Sequence, residues 1–276
     1  MNKNDFMERF ATEKQCIDFL FQLRWHNGYQ CPRCRHDKAW QVGEMKYKCK
    51  NCGYQTTVIS GTLLHGTHLP LTVWFQAAWY IVNHTEGTNA SALQEELQIG
   101  SNRTALSLLA KLRTAMANAD KEKLCGKIMV DKIRLSKELY RYSYIAVDSQ
   151  QSSCPQIRMQ YAEDITKKLY FDFIRKNIEI RSTIQTNGIG LMAEIPSGYQ
   201  LEGIKKCGSK MLPQVSDVDL YLKNNFFGGT IQSACTIENY NLYLAECCFK
   251  FNRRGERAKS QINDLFKGAV LEKRKK

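Results

Sequence analysis

The stretch CPRCRHDKAWQVGEMKYKCKNC, residues 31–52, carries four of the eleven cysteines in this chain of 276 residues. They form two Cys-x2-Cys pairs, Cys31 with Cys34 and Cys49 with Cys52, separated by 14 residues. Each pair can make a tight knuckle whose thiolates face one ion, and Zn²⁺ prefers four such ligands in a closed tetrahedral site. The pattern therefore predicts a zinc ribbon. The metal is expected to be structural, because four protein ligands leave no open position for a substrate.

The residues between the two pairs are typical of a β-hairpin. Residues 38–42 and 46–49 are its predicted arms, with Gly43 and Glu44 at the turn. Pro32 and Gly53 suit the knuckle turns, and zinc binding would fold a segment too small for a core of its own. His36 is a further candidate ligand, which we interpret as a loop residue.

The remaining seven cysteines are scattered along the chain. Their odd number, and an N-terminus of mixed charge without a secretory signal, argue against a disulfide framework. No stretch approaches the roughly 20 apolar residues of a membrane span. We therefore expect a cytoplasmic protein with reduced thiols and no membrane partner.

The charge is strongly positive and unevenly distributed. The chain has 40 Lys+Arg and 27 Asp+Glu, a net charge of +13. Residues 1–126 contribute +4 (15 basic, 11 acidic), whereas residues 250–276 contribute +7 (10 basic, 3 acidic). Such a balance favours a polyanionic partner, nucleic acid first, although a solvated basic terminus can also serve only solubility.

Residues 61–117 predict a small helical region that contains a helix-turn-helix. Residues 73–82 (VWFQAAWYIV) are too apolar for a surface helix and too few for a membrane span, which predicts a buried helix. A second helix should end near Leu97, and a turn with Gly100 leads to a third from about Arg103 to Met116.

In a helix-turn-helix the first turn of the second helix reaches the major groove of DNA. The residues predicted there are Ser101, Asn102, Arg103 and Thr104. The stripe predicted to be buried behind them is Leu106, Leu109 and Leu112. A plain helical hairpin with a glycine in its turn would give the same pattern, so both interpretations stay open.

After a polar linker at residues 117–126, a second module is predicted. Strands are expected at residues 127–131, 142–148, 156–161 and 179–185, with an amphipathic helix at residues 164–178. Three strands, a helix and a further strand predict an α/β sheet. Asp131 and Asn187, at two strand ends, become neighbours if those strands pair.

Several stretches resemble the insertion-sequence transposases that carry an N-terminal zinc ribbon and an RNase H-like DDE domain, the ISXO-type group. They are SGTLLHGTHLPLTVWFQAAWYIV (60–82), ASALQEELQIGSNRTALSLLAKLRTAM (90–116), GKIMVDK (126–132), TIQTNG (183–188) and FKFNRR (249–254). The resemblance implies a multidomain chain with a basic helical C-terminus. Its parts would be an N-terminal helix and zinc ribbon (1–60), the helix-turn-helix region (61–117), an α/β RNase H-like domain (127–255) and a basic tail (256–276).

The resemblance also implies a chemistry. Two Mg²⁺ ions held by carboxylates would activate in-line attack on a DNA phosphodiester. Asp131 matches the first acid, Asn187 stands where the second is expected, and Asp217 takes the third place. Asn187 keeps an oxygen but lacks the charge, and Lys132 follows the first acid, so we interpret the catalytic site as degenerate. Asp148, Asp217 or Asp219 could compensate. Structural zinc and, at this site, Mg²⁺ are the expected cofactors.

The partners implied are double-stranded DNA and further copies of the chain assembled on it, in a bacterial, nucleoid-associated setting. Arg253 and Arg254, in the C-terminal signature, are predicted DNA contacts. Three hypotheses follow. The chain is a mobile-element enzyme that binds specific DNA ends and performs Mg²⁺-dependent strand transfer, a non-catalytic transposase-derived regulator or recruitment factor, or a zinc-ribbon interaction module of a larger assembly.

Overall fold

The computed structural model describes residues 2–84, 87–136, 141–148, 150, 155–186, 194–203, 213–225 and 237–271. These form nine helices, α1 Lys3–Arg9, α2 Glu13–Arg24, α3 Leu71–Asn83, α4 Ala90–Glu96, α5 Asn102–Ala119, α6 Lys167–Asn177, α7 Pro213–Asn225, α8 Ile237–Asn252 and α9 Ala258–Val270. The strands in the same residues are β1 Ala39–Gln41, β2 Lys46–Cys49, β3 Gln55–Thr57, β4 Lys127–Ser136, β5 Arg141–Asp148, β6 Ile157–Ala162, β7 Thr183–Thr186 and β8 Gln200–Gly203.

The chain divides into two compact units. The first comprises residues 1–84, 88–119 and 256–276, and the second comprises residues 85–87 and 120–255. The predicted zinc ribbon and helical region therefore belong to one unit, together with the C-terminal segment. No helix in the described part of the chain combines the length and apolarity needed to cross a membrane.

Helices α1 and α2 begin at reciprocal caps. Asn2 and Asp5 bond each other's backbone N–H groups at the start of α1, and Thr12 and Gln15 do the same at α2. The predicted buried helix is confirmed as α3, and its buried residues are Leu71, Trp74, Phe75, Ala77, Ala78, Trp79, Ile81 and Val82.

The ribbon is a three-stranded antiparallel sheet in the order β1-β2-β3. Ala39 pairs with Cys49, and Trp40 with Lys48, so the predicted hairpin is confirmed. The third strand, β3, was not predicted from the sequence. It pairs with β2 through Tyr47 and Thr56 and widens the ribbon by one strand.

Helices α4 and α5 match the predicted helix, turn and helix within a few residues. The left-handed position of the turn is Gln98, with φ 51°, whereas Gly100 is not in the left-handed region. On α5 the prediction of a buried Leu106 is wrong, since this side chain is 54% exposed and Leu108 is buried in its place. The apolar stripe is rotated because Ala105 and Leu108 share the helix face of Leu112.

Most of the predicted basic tail at 256–276 forms helix α9, Ala258–Val270. Helix α9 packs within the first unit, where Phe266 stacks on Phe75 with ring centroids 4.1 Å apart. Gly268 touches α5 so closely that a Cβ there would lie 2.0 Å from the Ala115 carbonyl oxygen. A solvated tail was one of two interpretations that the charge left open, and it took no account of the buried apolar residues of this helix, which include Ile262, Leu265, Phe266 and Ala269.

The second unit is built on a five-stranded sheet in the order β6-β5-β4-β7-β8. The first three strands along the chain pair antiparallel, while β7 and β8 run parallel to β4. The predicted α/β sheet is confirmed, and the pairing of β4 with β7, which the sequence left conditional, is present. One face packs on α6 and the other on α7 and α8, because alternate residues of β4 enter two different core clusters.

Part of the predicted linker belongs to the second unit. Helix α5 continues to Ala119, and Leu124 is buried and bridges Ile178. Asp120 receives a hydrogen bond of 2.7 Å from the Arg253 guanidinium. Although residues 117–126 are mostly polar, contacts of Asp120 and Leu124 anchor this segment to the second unit.

Candidate functional site

The four predicted zinc ligands are brought together. Their Sγ atoms all lie within 4.8 Å of one another, with Cys31 to Cys52 at 3.7 Å and Cys34 to Cys49 at 3.6 Å. A Zn–S bond of about 2.3 Å gives a tetrahedron with edges of about 3.8 Å. The cysteines therefore fit a tetrahedral zinc ion.

The two knuckles have the same backbone geometry. Cys31 donates its N–H to the His36 carbonyl at 2.8 Å, and Cys49 donates to the Tyr54 carbonyl at 2.9 Å. The residue after each second cysteine is left-handed, with φ 65° at Arg35 and 67° at Gly53. Glycine adopts this conformation freely whereas arginine does so at a cost, so the first knuckle is strained and the second is not.

The knuckle backbone favours thiolates. Burial disfavours the charge on Cys31, but N–H groups of Cys34 and Arg33 outweigh it and lower the pKa of Cys31 to about 6. The backbone N–H of His36 lowers the pKa of Cys34. At Cys52 burial and the neighbouring cysteines together outweigh a backbone hydrogen bond from Tyr54 and raise the pKa to about 11. A divalent cation would supply the positive charge that four adjacent thiolates require.

The predicted DNA-reading turn lies at the start of α5. Ser101 caps the helix by accepting the Thr104 N–H at 3.2 Å, and Asn102 donates to the Ser91 hydroxyl of α4 at 3.2 Å. Arg103 is exposed, and no described residue forms a hydrogen bond or ion pair with it. Three of the four predicted residues thus shape the turn, and Arg103 is the one that projects a cation from it.

Arg253 and Arg254, the predicted DNA contacts, lie just after the end of α8, and their contact with DNA stays a prediction. Arg253 is 8% exposed and forms an ion pair with Asp120 at 2.7 Å. Arg254 is half-buried, donates to the Phe251 carbonyl at 2.7 Å and lies 3.8 Å from the ring centroid of Phe251. Both guanidiniums form contacts within the second unit around the C-terminal end of α8.

Asp131 lies in β4 and is 2% exposed. It accepts the Lys132 N–H at 2.8 Å. Alternation along the strand places it on the side of Met129 and Ile133, which face α7 and α8. Gln185 of β7 pairs with Met129 and is also buried, and its Oε1 has no hydrogen-bond partner among the described residues. No sequence motif marks Gln185, since a glutamine inside a strand fits no functional pattern.

The other predicted catalytic positions do not complete a carboxylate cluster. Asn187 lies outside the described residues. Asp217 is exposed on α7, whereas Asp219 is buried and paired with Lys223. Asp148 ends β5 and accepts the Gln150 N–H at 2.9 Å. Within the described residues, the four cysteines are the one group of three or more potential metal ligands, and the predicted catalytic positions stay a prediction.

The fold and the four-cysteine centre thus define a zinc-ribbon protein with a second, mixed helix and sheet unit. Residues 11–55 match the family model of the transposase zinc-ribbon domain. A protein of Halobacterium salinarum, described as an uncharacterized protein in transposable element ISH50, is 26% identical over 129 residues. The aligned part covers 45% of this chain and 42% of that relative, so the chain spans less than half of the relative's length. No solved structure matches the chain.

Both matches support a transposase-like protein of a mobile element of the insertion-sequence type. The family match ends at residue 55, within the ribbon. It therefore bears on α2 and the zinc centre, and not on the later helices or the second unit.

Proposed function

We propose that this chain is a transposase-like DNA-binding protein of a mobile element that recognises specific DNA ends, and that its second unit is RNase H-like with impaired strand transfer. Zinc holds the ribbon, and α5 reads the DNA. The observation that carries the proposal is the exposed first turn of α5, with Arg103 projecting from a helix whose opposite face is buried.

The turn suits the major groove in shape and charge. An α-helix fits that groove, and an arginine at its N-terminal end can bond two acceptors of guanine. Ser101 and Asn102 fix the turn through their hydrogen bonds to Thr104 and Ser91, which limits the entropy lost when Arg103 meets a base. The zinc-ribbon match supports DNA as the partner, and assembly into homo-oligomers on DNA remains part of the proposal.

The proposal of impaired catalysis rests on charge. Strand transfer needs carboxylates around Mg²⁺. Asp131 is the buried acid of β4, and Asp219 of α7 is already neutralised by Lys223. The three antiparallel strands, the helix and the parallel strands that follow support an RNase H-like assignment for this unit.

The test begins with the zinc-loaded full chain and a pool of random duplexes, from which bound sequences are selected. Arg103→Ala should weaken binding to the selected duplex by about 1–3 kcal/mol and leave binding to random duplex nearly unchanged. Lys14→Ala is the matched control, since it removes one exposed positive charge from α2 of the same unit. Equal losses on selected and random duplexes would contradict the role of α5.

Catalysis is tested on the same selected duplex with Mg²⁺ or Mn²⁺. We expect no nicking by the wild-type chain. Nicking that disappears in Asp131→Ala would instead assign an active transposase and overturn this part of the proposal, while leaving the DNA-reading role of α5 intact.

A further inference from the structure

The outer face of the ribbon presents the most exposed tryptophan of the chain. Trp40 is 52% exposed, whereas Trp25, Trp74 and Trp79 are 7%, 3% and 8% exposed. Burial of a tryptophan side chain stabilises a fold substantially, so a half-exposed one forgoes part of that gain. Trp40 stands opposite Lys48 on β2, and the Lys50 ammonium lies 5.5 Å from its ring centroid.

The opposite face of the ribbon is already occupied. Tyr47 packs there against Phe21 and Trp25 of the α2 segment, with ring centroids 5.3 and 5.6 Å away. Arg24 fastens α2 to the ribbon by donating to the carbonyls of Thr57 and Val58. Because alternate residues of β1 and β2 point to opposite sides, the Trp40 side faces away from this packed interface.

The ribbon carries a concentrated positive charge. Residues 31–55 carry six Lys+Arg and two Asp+Glu, a net charge of +4. This segment stays basic even with the two net negative charges of a zinc tetrathiolate. Lysines surround Trp40 at positions 38, 46, 48 and 50, and no described carboxylate lies within ion-pair distance of these four residues.

We propose that the face formed by Trp40, Lys48 and Lys50 binds single-stranded nucleic acid, with an unpaired base stacked on the indole and the flanking phosphates held by the lysines. The cores of protein–protein interfaces are depleted of lysine, so an aromatic ring among lysines favours nucleic acid over a protein partner. The bases of an intact duplex are stacked on each other, and only an unpaired base can offer its face to the ring.

This inference rests on the proposed function in one respect, the choice of nucleic acid as partner, and it uses a surface other than α5. It assigns two tasks to the first unit. The first turn of α5 reads duplex sequence, while the ribbon face holds single-stranded segments. Such segments arise wherever DNA ends are opened or cut.

The test uses the zinc-loaded full chain and a short thymidine oligonucleotide. Addition of the oligonucleotide should quench the fluorescence of the exposed Trp40, and the difference spectrum between wild type and Trp40→Phe isolates that signal. Trp40→Ala should weaken binding about tenfold or more, whereas Trp40→Phe should retain most of the affinity because its ring still stacks. Lys48→Gln should lower the slope of log affinity against log salt by about 0.7.

Ile180→Ala, at an exposed apolar residue of the second unit, is the control and should leave oligonucleotide binding unchanged. Equal affinities of wild type and Trp40→Ala, or binding without quenching, would overturn the inference. So would stable binding of a protein partner that Trp40→Ala abolishes while the oligonucleotide is not bound. Failure of Arg103-dependent duplex selection with Trp40 quenching intact would refute only the proposed function, and the reverse result would refute only this inference.

Discussion

Gly268→Ala tests whether the C-terminal helix is a structural part of the first unit. The methyl group would lie 2.0 Å from the Ala115 carbonyl oxygen and 2.9 Å from the Ala119 nitrogen. A carbon approaches an oxygen to about 3.3 Å at the closest, so α9 must retreat from α5 by about 1.3 Å or bend. The retreat would loosen the packing of Phe266 on Phe75 and the hydrogen bond from Asn118 to the Gly268 carbonyl.

The magnitude follows from three terms. Overpacking costs about 1–3 kcal/mol, and the weakened hydrogen bond costs about 1 kcal/mol. The helix propensity of alanine returns about 1 kcal/mol relative to glycine. The free energy of unfolding of the first unit should therefore fall by about 1–3 kcal/mol.

Urea unfolding followed by tryptophan fluorescence measures this change, because all four tryptophans lie in the first unit. With a denaturant slope of about 2 kcal/mol/M, the midpoint should fall by about 1 M. Lys267→Ala is the matched control, since this exposed neighbour is paired only with Asp264 at the surface, and its effect should stay within about 0.5 kcal/mol. An unchanged or higher midpoint for Gly268→Ala would refute the close contact of α5 and α9.

Three further predictions concern the knuckles, the metal and the second unit. Arg35→Gly should stabilise the ribbon by about 0.5–1 kcal/mol and Gly53→Ala should destabilise it by about 1–2 kcal/mol, as measured by chelator-induced unfolding, because both positions are left-handed. Cys52→Ser should weaken and shift the thiolate absorption of the Co²⁺-substituted protein, because three of four thiolates remain, and make the ribbon more sensitive to proteases, since zinc binding provides its folding energy. An unchanged spectrum would exclude Cys52 as a ligand. Arg253→Ala should destabilise the second unit by up to about 3–5 kcal/mol, because the Asp120 carboxylate loses its ion pair and keeps a hydrogen bond from the Asn252 amide. Combination with Asp120→Ala should recover much of the loss in thermal unfolding followed by circular dichroism, and a fully additive double variant would refute the pairing.

Elements coded by local pattern were predictable from the sequence. The spacing of Cys31, Cys34, Cys49 and Cys52 defines a tetrahedral site, since two knuckles with two thiolates each fix its geometry. The apolar residues of α3 and the alternating strands of the second unit were equally predictable, because burial imposes a periodic pattern of apolar residues on the sequence. The hairpin also agrees with the prediction, and the pairing of β4 with β7 fulfils a condition that the sequence left open.

Properties that depend on distant neighbours were not predictable. The positive side chain of Arg253 is of the kind that contacts DNA. Its ion pair with Asp120, 133 residues away in the chain, buries it inside the second unit. A tryptophan such as Trp40 is usually buried in a core. Because Tyr47 packs the other face of the ribbon on α2, Trp40 remains on the exposed face. An amino acid fixes which interactions a side chain can make, whereas the chain path decides which of them are available.

The sequence by itself determined the zinc ligands, the main helices and strands, and a basic charge that favours nucleic acid. Only the tertiary structure decided which of these positive side chains are accessible to a nucleic acid. It buries Arg253, draws α9 into the core of the first unit, and leaves Arg103, Trp40 and Lys50 exposed. The physical reason is that exposure and pairing are set by contacts between residues far apart in the chain, which no local pattern encodes.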